Sequence, residues 1–233
     1  MKKVVLLAAV LTVAFINSNA QVKLGVHAGG IMSSGKHTES EDGESISIKH
    51  KSRASWKAGV SAAIPVSENF SIIPQLSVLS KGGKPSYSYS FEDMGIDYSF
   101  KLDGEFKLTY LELPVNFVYQ SNGFMIGAGP SLSMGLGGKG KMTVKEIFDG
   151  DTEVTVVDGK VKFDGKADAD DEDIHMNRFE VGANFIAGYT FRNNLSVQAN
   201  FNLGLTDVYP GETSKYKSRY FGVGVGYWFG GNK

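Results

Sequence analysis

The sequence predicts an all-β fold, an eight-stranded antiparallel up-and-down transmembrane β-barrel, on three observations. After residue 20 no segment keeps a sustained apolar period of 3.6 residues, whereas eight segments alternate with the period of two that is typical of strands. Short and long connections alternate along the chain, as in a meander whose hairpins are tight at one end only. In every segment, one face is apolar and almost free of charge.

The first twenty residues are predicted to be a signal peptide. Lys2 and Lys3 form its basic region, residues 4–16 form its apolar region, and small residues follow as a cleavage site. An apolar run of this length is too short to span a bilayer as a helix. The chain is therefore expected to consist of a signal peptide, residues 1–20, and an outer-membrane barrel domain, residues 21–233.

Composition excludes several classes of function. The formal charge of −1 provides no basic field, so no nucleic-acid partner is expected. The chain has no cysteine, which excludes disulfide bonds and thiolate metal sites. Glycine is frequent, with 29 of 233 residues, and small side chains suit the narrow interior of a barrel of about eight strands.

The alternating segments are about as long as a tilted strand that crosses a bilayer. They are residues 23–30, 56–64, 70–81, 110–119, 124–136, 178–191, 195–206 and 220–229. The three short connections are residues 65–69, 120–123 and 192–194, and the four long ones are roughly residues 32–54, 82–106, 137–176 and 206–218. In the long connections, "SYSYSF" and "IDYSFKL" predict further strands, and Asp158–Gly159 predicts a hairpin turn.

The fourth segment, "YLELPVNFVY", shows why a membrane barrel is predicted rather than a soluble one. Leu113 and Phe117 lie on one face, and Glu112 and Asn116 lie on the other. A soluble barrel carries its charges outside and its apolar residues inside. Because the apolar faces are bulky and the polar faces are rich in Gly and Ser, Glu112 is predicted to point inward, with the leucines against lipid.

Two sets of residues follow from this orientation. The predicted polar network of the barrel interior consists of Lys23, His27, Lys57, Glu112, Arg178 and Glu180. The predicted interfacial aromatic girdles consist of Trp56, Phe70, Tyr119, Phe124, Tyr189, Phe191, Tyr220, Tyr227 and Phe229. Pro74, Pro114 and Pro130 fall inside predicted strands, where each removes a ladder donor, so local bulges are expected there.

The sequence also resembles a known family. The stretches "VSENFSIIPQLSVLSKGG", "YLELPVNFVY", "GFMIGAGPSLSMGL", "NNLSVQANFNLGLTDV" and "SRYFGVGVGYWF" are together similar to the PorT-like outer-membrane β-barrel family of Bacteroidetes. The resemblance covers about residues 21–230 and implies an eight-stranded barrel in the outer membrane. Gly224, Tyr227 and Phe229 are similar to the C-terminal signal that the barrel-assembly machinery reads, although "GGNK" follows here.

Enzyme chemistry is not expected. A lipid A-modifying barrel would need His and Ser on lipid-accessible faces at the rim. His27 faces inward, and the sequence places no serine beside it, so it is expected to bond Glu112, Glu180 or water. The interior charges also raise the possibility of a pore, but eight strands leave little lumen, and opposite charges there would pair.

The acidic residues of the 137–176 connection are the candidates for a metal site. Carboxylates spaced in this way can collect on Ca²⁺, but neither cluster completes an EF-hand pattern, and no cofactor beyond loosely bound calcium is expected. These candidates are Asp149, Asp151, Glu153, Asp168, Asp170, Asp171 and Asp173.

The function expected from the sequence is that of a barrel that presents four extracellular loops and has a structural or adhesive role. The alternatives are a narrow channel, a secretion-associated barrel, or a lipid A-modifying enzyme. The expected partners are outer-membrane lipid and lipopolysaccharide, the barrel-assembly machinery during biogenesis, and an extracellular ligand at the loops.

Overall fold

The computed structural model describes residues 22–41, 44–93, 96–148, 151–166, 173–211 and 214–230. The predicted signal peptide lies outside these residues. Within them, no helix has the length and apolarity to cross a membrane.

The described chain forms twelve β-strands. Their bounds are β1 Lys23–Glu41, β2 Glu44–Lys51, β3 Arg53–Pro65, β4 Phe70–Lys81, β5 Lys84–Asp93, β6 Ile96–Ser121, β7 Phe124–Phe148, β8 Asp151–Lys162, β9 Ile174–His175, β10 Phe179–Thr190, β11 Leu195–Gly204 and β12 Ser214–Phe229. The strand-rich prediction is confirmed, but the number of strands is twelve rather than eight.

Eight of these strands form a closed ring of hydrogen-bonded neighbours. The order around the ring is β6, β4, β3, β1, β12, β11, β10 and β7, and pairing of β7 with β6 closes it. Every pairing within the ring is antiparallel. Each ring strand contains all or most of one predicted segment, and the extra strands β2, β5, β8 and β9 lie in the long connections.

Long ring strands carry the sheet well beyond the ring at one end, which we call the long-connection end. β6 has 26 residues and β7 has 25, and their outer parts pair with β5 and β8. The strands predicted from "SYSYSF" and "IDYSFKL" are confirmed as β5 and the start of β6. The hairpin turn predicted at Asp158–Gly159 is wrong, because both residues lie within β8 and pair with Lys141 and Gly140.

The opposite end of the ring carries the tight turns. Asn122 and Gly123 join β6 to β7, and both have positive φ, at 50° and 86°. This conformation matches a two-residue type I′ hairpin, for which Asn-Gly is the preferred sequence. Asn194, with φ 65°, bends the turn before β11 in the same left-handed region.

Side-chain exposure follows the predicted alternation. Large apolar residues are exposed around the outside of the ring, for example Val225 at 60% and Ile126 at 63%, whereas Glu112 and Asn116 are fully buried. Aromatic pairs such as Phe124 with Tyr189 cluster near the tight turns. Tyr220 was predicted in a girdle, but it is buried inside the ring.

Two apolar clusters lie inside the ring, one near each end. The cluster near the tight turns consists of Ala63, Ile73, Val118, Met125, Ile186 and Trp228. The cluster at the long-connection end consists of Ile31, Leu79, Phe106, Leu108, Tyr110, Val161, Met176, Val208, Tyr216 and Tyr220. Val161, Met176 and Val208 come from the long connections, so these connections fold back over the mouth of the ring.

The three strand prolines do not produce the expected bulges. The pairing of β4 with β6 skips two residue pairs beside Pro114 and resumes in the same register. The ladders on either side, beside Pro74 and Pro130, show similar gaps without a change of register. Each proline removes a donor locally, and the neighbouring pairs hold the register on both sides.

Candidate functional site

The candidate site is the polar layer between the two apolar clusters, and its first centre is Glu112. β6 places this carboxylate inward, where it is fully buried. Lys57 Nζ of β3 donates to Oε1 at 3.1 Å, and the Tyr220 hydroxyl of β12 donates to the same oxygen at 2.6 Å. Ser133 Oγ of β7 donates to Oε2 at 3.4 Å. Three strands other than β6 therefore meet at one carboxylate.

The second centre is Glu180, on the inner face of β10. Lys81 Nζ of β4 donates to Oε2 at 2.7 Å, and Ser218 Oγ of β12 donates to Oε1. The same ammonium lies 4.3 Å from the ring centroid of Tyr110, a cation–π geometry. It also contacts Ser133 Oγ at 3.4 Å. Ser133 thus connects the Lys81–Glu180 pair to the Lys57–Glu112 pair.

Amide and hydroxyl groups fill the layer on the side of the tight turns. Asn184 Nδ2 donates to Asn116 Oδ1 at 2.8 Å, and Asn202 Nδ2 donates to Ser131 Oγ at 2.8 Å. Gln75 Nε2 reaches Gln198 Oε1 at 3.3 Å. These pairs join strands that are not neighbours in the ring, so the bonds cross the interior.

His27 is buried in this layer, but its partners differ from those predicted. Its Nδ1 lies 2.8 Å from Ser61 Oγ, and its Nε2 lies 2.9 Å from Ser77 Oγ. The prediction of a bond to Glu112 or Glu180 is therefore wrong. The sequence could not place these serines, because they come from β3 and β4, and the register of these strands against β1 is not visible in the sequence.

Lys23 and Arg178 do not join the charged centres. Lys23 is half-buried at the start of β1, where it lines a cavity of about 570 Å³ that opens beside the tight turns. Arg178 is exposed, because β10 begins only at Phe179. Its predicted interior position is wrong. The ammonium of Lys81 pairs with Glu180, but Lys81 is not in the predicted network, because partners across a ring are not visible in one segment.

The candidate calcium ligands are not assembled in the described residues. Asp151 and Glu153 are exposed on β8, and Asp173 forms a 2.7 Å ion pair with Lys162. Asp149, Asp168, Asp170 and Asp171 lie outside the residues described. No group of three or more His, Asp or Glu in the described part of the chain is arranged to hold a metal ion.

At the long-connection end, the strands β5 and β6 form an aromatic face. Tyr89 pairs with Phe100 and Phe91 pairs with Tyr98, and the last two rings lie 5.2 Å apart. Next to the connection between β8 and β9, His175 Nδ1 lies 2.7 Å from Asp164 Oδ1. This contact holds the pKa of the Asp164 carboxyl below its ordinary value.

Chemically, the layer can neutralise charge and tie strands together. Each buried carboxylate has an ammonium and a hydroxyl partner, as a charge in a low-dielectric interior requires. The apolar clusters on either side contain Val118 and Leu79, of which neither has exposed surface.

Comparison with known structures returns outer-membrane proteins. Ail, the attachment invasion locus protein of Yersinia pestis, is 16% identical, with a TM-score of 0.37 over 90% of this chain and 99% of that chain. Neisserial surface protein A is 10% identical, with a TM-score of 0.37 over 89% and 98%. The outer membrane protease OmpT from Escherichia coli is 12% identical, with a TM-score of 0.41 over 89% and 96%. No curated protein matches the sequence.

The family model gives the identity of the fold. The outer membrane protein beta-barrel domain matches residues 12–209, which is most of the chain. It agrees with the closed ring, with the exposed apolar band and with the buried polar layer described above. The chain belongs to the outer membrane protein beta-barrel domain family.

Proposed function

We propose that this chain is an eight-stranded transmembrane β-barrel of the outer membrane, whose role is to present its long connections outside the cell as a structural or adhesive surface. The tight turns face the periplasm, and the signal peptide, residues 1–20, is removed. Outer-membrane lipid and lipopolysaccharide surround the apolar band, and the barrel-assembly machinery inserts the chain.

The observation that carries this proposal is the filled interior. Two buried ion pairs, Lys57–Glu112 and Lys81–Glu180, occupy the middle of the ring between two apolar clusters. A conducting barrel needs a continuous polar path, and an eight-stranded interior is just wide enough for side chains to fill. The filled polar layer therefore favours a structural role for the barrel over a role as a narrow channel.

The surroundings of His27 favour a non-enzymatic role. His27 has both ring nitrogens bonded to serines, and the three residues are buried inside the ring. A lipid-modifying site would need its nucleophile where a lipid can reach it.

The absence of cysteine allows a direct test of orientation. Ser88→Cys on β5 and Asn193→Cys in a tight turn each introduce one thiol at an exposed position. A membrane-impermeant maleimide added to intact cells should label the first variant and not the second. Lysed cells should show labelling of both. Labelling of Asn193→Cys alone on intact cells would reverse the orientation.

Conductance and heat modifiability test the rest of the proposal. The protein extracted from outer membranes should run faster on a gel before boiling than after, because a closed barrel resists detergent. In planar bilayers, it should produce no stable single-channel steps. Regular conductance steps from the purified barrel would overturn the structural role in favour of the channel.

A further inference from the structure

We propose that the free edge of β5 pairs with β5 of a second copy of this protein in a facing membrane. This inference rests on the proposed function, which places β5 outside the cell. The occupant of the edge is therefore the same strand of another molecule, joined to it by antiparallel backbone hydrogen bonds.

The first observation is that β5 has an unpaired edge. β6 pairs with β5 from Ser86 to Asp93 on one side. On the other side, β2 pairs only with Lys84 and Pro85 of β5, and the rest of β2 pairs with β1. Among the described strands, none covers the outer edge of β5 from Ser86 onward. Such an edge is a template for pairing with another chain.

The second observation is that the central part of β5, from Ser86 to Phe91, lacks the features that normally protect an edge, although charges and a proline flank it at Lys84, Pro85, Glu92 and Asp93. Natural edges carry charges, prolines or bulges. From Ser86 to Phe91, the sequence is SYSYSF, which contains no charge and no proline. Residues 87–91 are all exposed, so both faces of the strand are open. By contrast, the exposed strand β8 carries Asp158 and Lys160.

The third observation identifies the occupant, because the strand is complementary to itself. Aromatic residues and serines alternate symmetrically about Tyr89. Antiparallel pairing of two copies centred on Tyr89 places Tyr87 opposite Phe91 of the other copy, and Ser88 opposite Ser90. Aromatic side chains then lie opposite aromatic side chains, and serines lie opposite serines, each pair on one face of the joined sheet. Aromatic cross-strand pairs are among the favourable ones, and a two-fold contact of this kind is closed.

The direction of β5 determines where the second copy must be. β5 begins beside the end of β4 at the mouth of the ring and runs away from it. In an antiparallel pair, the two strands run in opposite directions, so the two barrels also point in opposite directions. Two barrels in one membrane with the same orientation cannot meet this condition. The pairing therefore joins barrels in two facing membranes, and many weak contacts act together there.

The experiment uses the full mature barrel in phosphatidylcholine vesicles, with donor and acceptor dyes in separate vesicle pools. Clustering is measured by energy transfer and light scattering. Mixed pools of wild-type vesicles should show much more energy transfer and light scattering than protein-free vesicles. The S88E/S90E and S88K/S90K variants bring like charges together across the pair. The energy transfer between the pools of each variant should therefore be at least about fivefold lower than for wild type. Mixing these two variants should restore clustering, because opposite charges then meet across the pair.

A matched control keeps the charge but moves it off the edge. Ser99 pairs with Ser90 and lies on the same face, one strand inward on β6. The S99E and S99K variants should each cluster like wild type, because a charge on β6 does not face its counterpart across the two paired edges. Wild-type vesicles that stay dispersed, or a charge-complementary mixture that fails to recover, would overturn the pairing. Heat modifiability of the same vesicles separates the two proposals, since failure to insert overturns the barrel function itself.

Discussion

Lys57 Nζ and Glu112 Oε1 lie 3.1 Å apart in the middle of the ring, and both side chains are buried. The two residues are 55 positions apart in sequence and belong to strands separated by β4. The pair therefore spans the interior rather than following one ladder. Removing one partner leaves the other charge buried without compensation.

We expect Glu112→Gln to reduce the free energy of unfolding by about 3–5 kcal/mol, since the buried Lys57 then loses its carboxylate partner. Urea unfolding of the barrel in lipid vesicles measures the change. Asp103→Asn provides the control, because the Lys101–Asp103 pair is exposed, and such pairs contribute only about 0–1 kcal/mol. Equal losses for the two variants would show that burial of Glu112 has no energetic consequence.

The inward position of Glu112 and Lys57 could be predicted because period two fixes the face of every residue within one strand. The partners of these residues across the ring could not be predicted, because they depend on the register of strands far apart in sequence. Tyr220 shows the same limit, since an aromatic residue near a segment end fits a girdle as well as the interior. Its hydroxyl bonds to Glu112 only when β12 pairs with β1.

The apolar clusters of the interior were missed for a related reason. Ile73 and Leu79 share the inward face of β4 with Gln75 and Ser77. When the character of a strand face is averaged over the whole strand, apolar and polar layers along the barrel axis are no longer visible. The strands of the long connections were only partly predicted, because β8 carries charges throughout and lacks a simple alternation. Most residues of β8 are exposed, so neither face has to be apolar, which leaves a weak pattern in sequence.

The close approach of β6 and β7 predicts a sharp difference between two glycines. A Cβ added at Gly129 would overlap the carbonyl of Val115, whereas a Cβ at Gly137 would meet open space. We expect Gly129→Ala to reduce the free energy of unfolding by about 1–3 kcal/mol, since β6 or β7 must shift. Gly137→Ala should change it by less than about 0.5 kcal/mol. Urea titrations monitored by tryptophan fluorescence give both values, and identical curves for the two variants would contradict the close approach.

The apolar band predicts that charge is tolerated at the long-connection end but not around the ring. Val225 of β12 and Val157 of β8 are similarly exposed, at 60% and 54%. If Val225 faces lipid, Val225→Arg should destabilise the barrel by about 2–4 kcal/mol. Val157→Arg should have almost no effect, because its surroundings are water. Unfolding in vesicles of phosphatidylcholine measures both, and a harmless Val225→Arg would contradict the membrane placement.

The contact between His175 and Asp164 predicts a pH dependence at the long-connection end. The hydrogen bond with the imidazole, followed by one from the Lys166 backbone, lowers the pKa of Asp164 below its usual 3.8. A carboxyl with a lowered pKa contributes stability that is fully present above its unfolded pKa and is lost as pH falls through the folded one. We therefore expect the connection around Asp164 to loosen in acid, below the ordinary pKa of aspartate. His175→Gln should raise the pKa of Asp164, measured by carboxyl NMR titration in micelles, and an unchanged pKa would contradict the role of this contact.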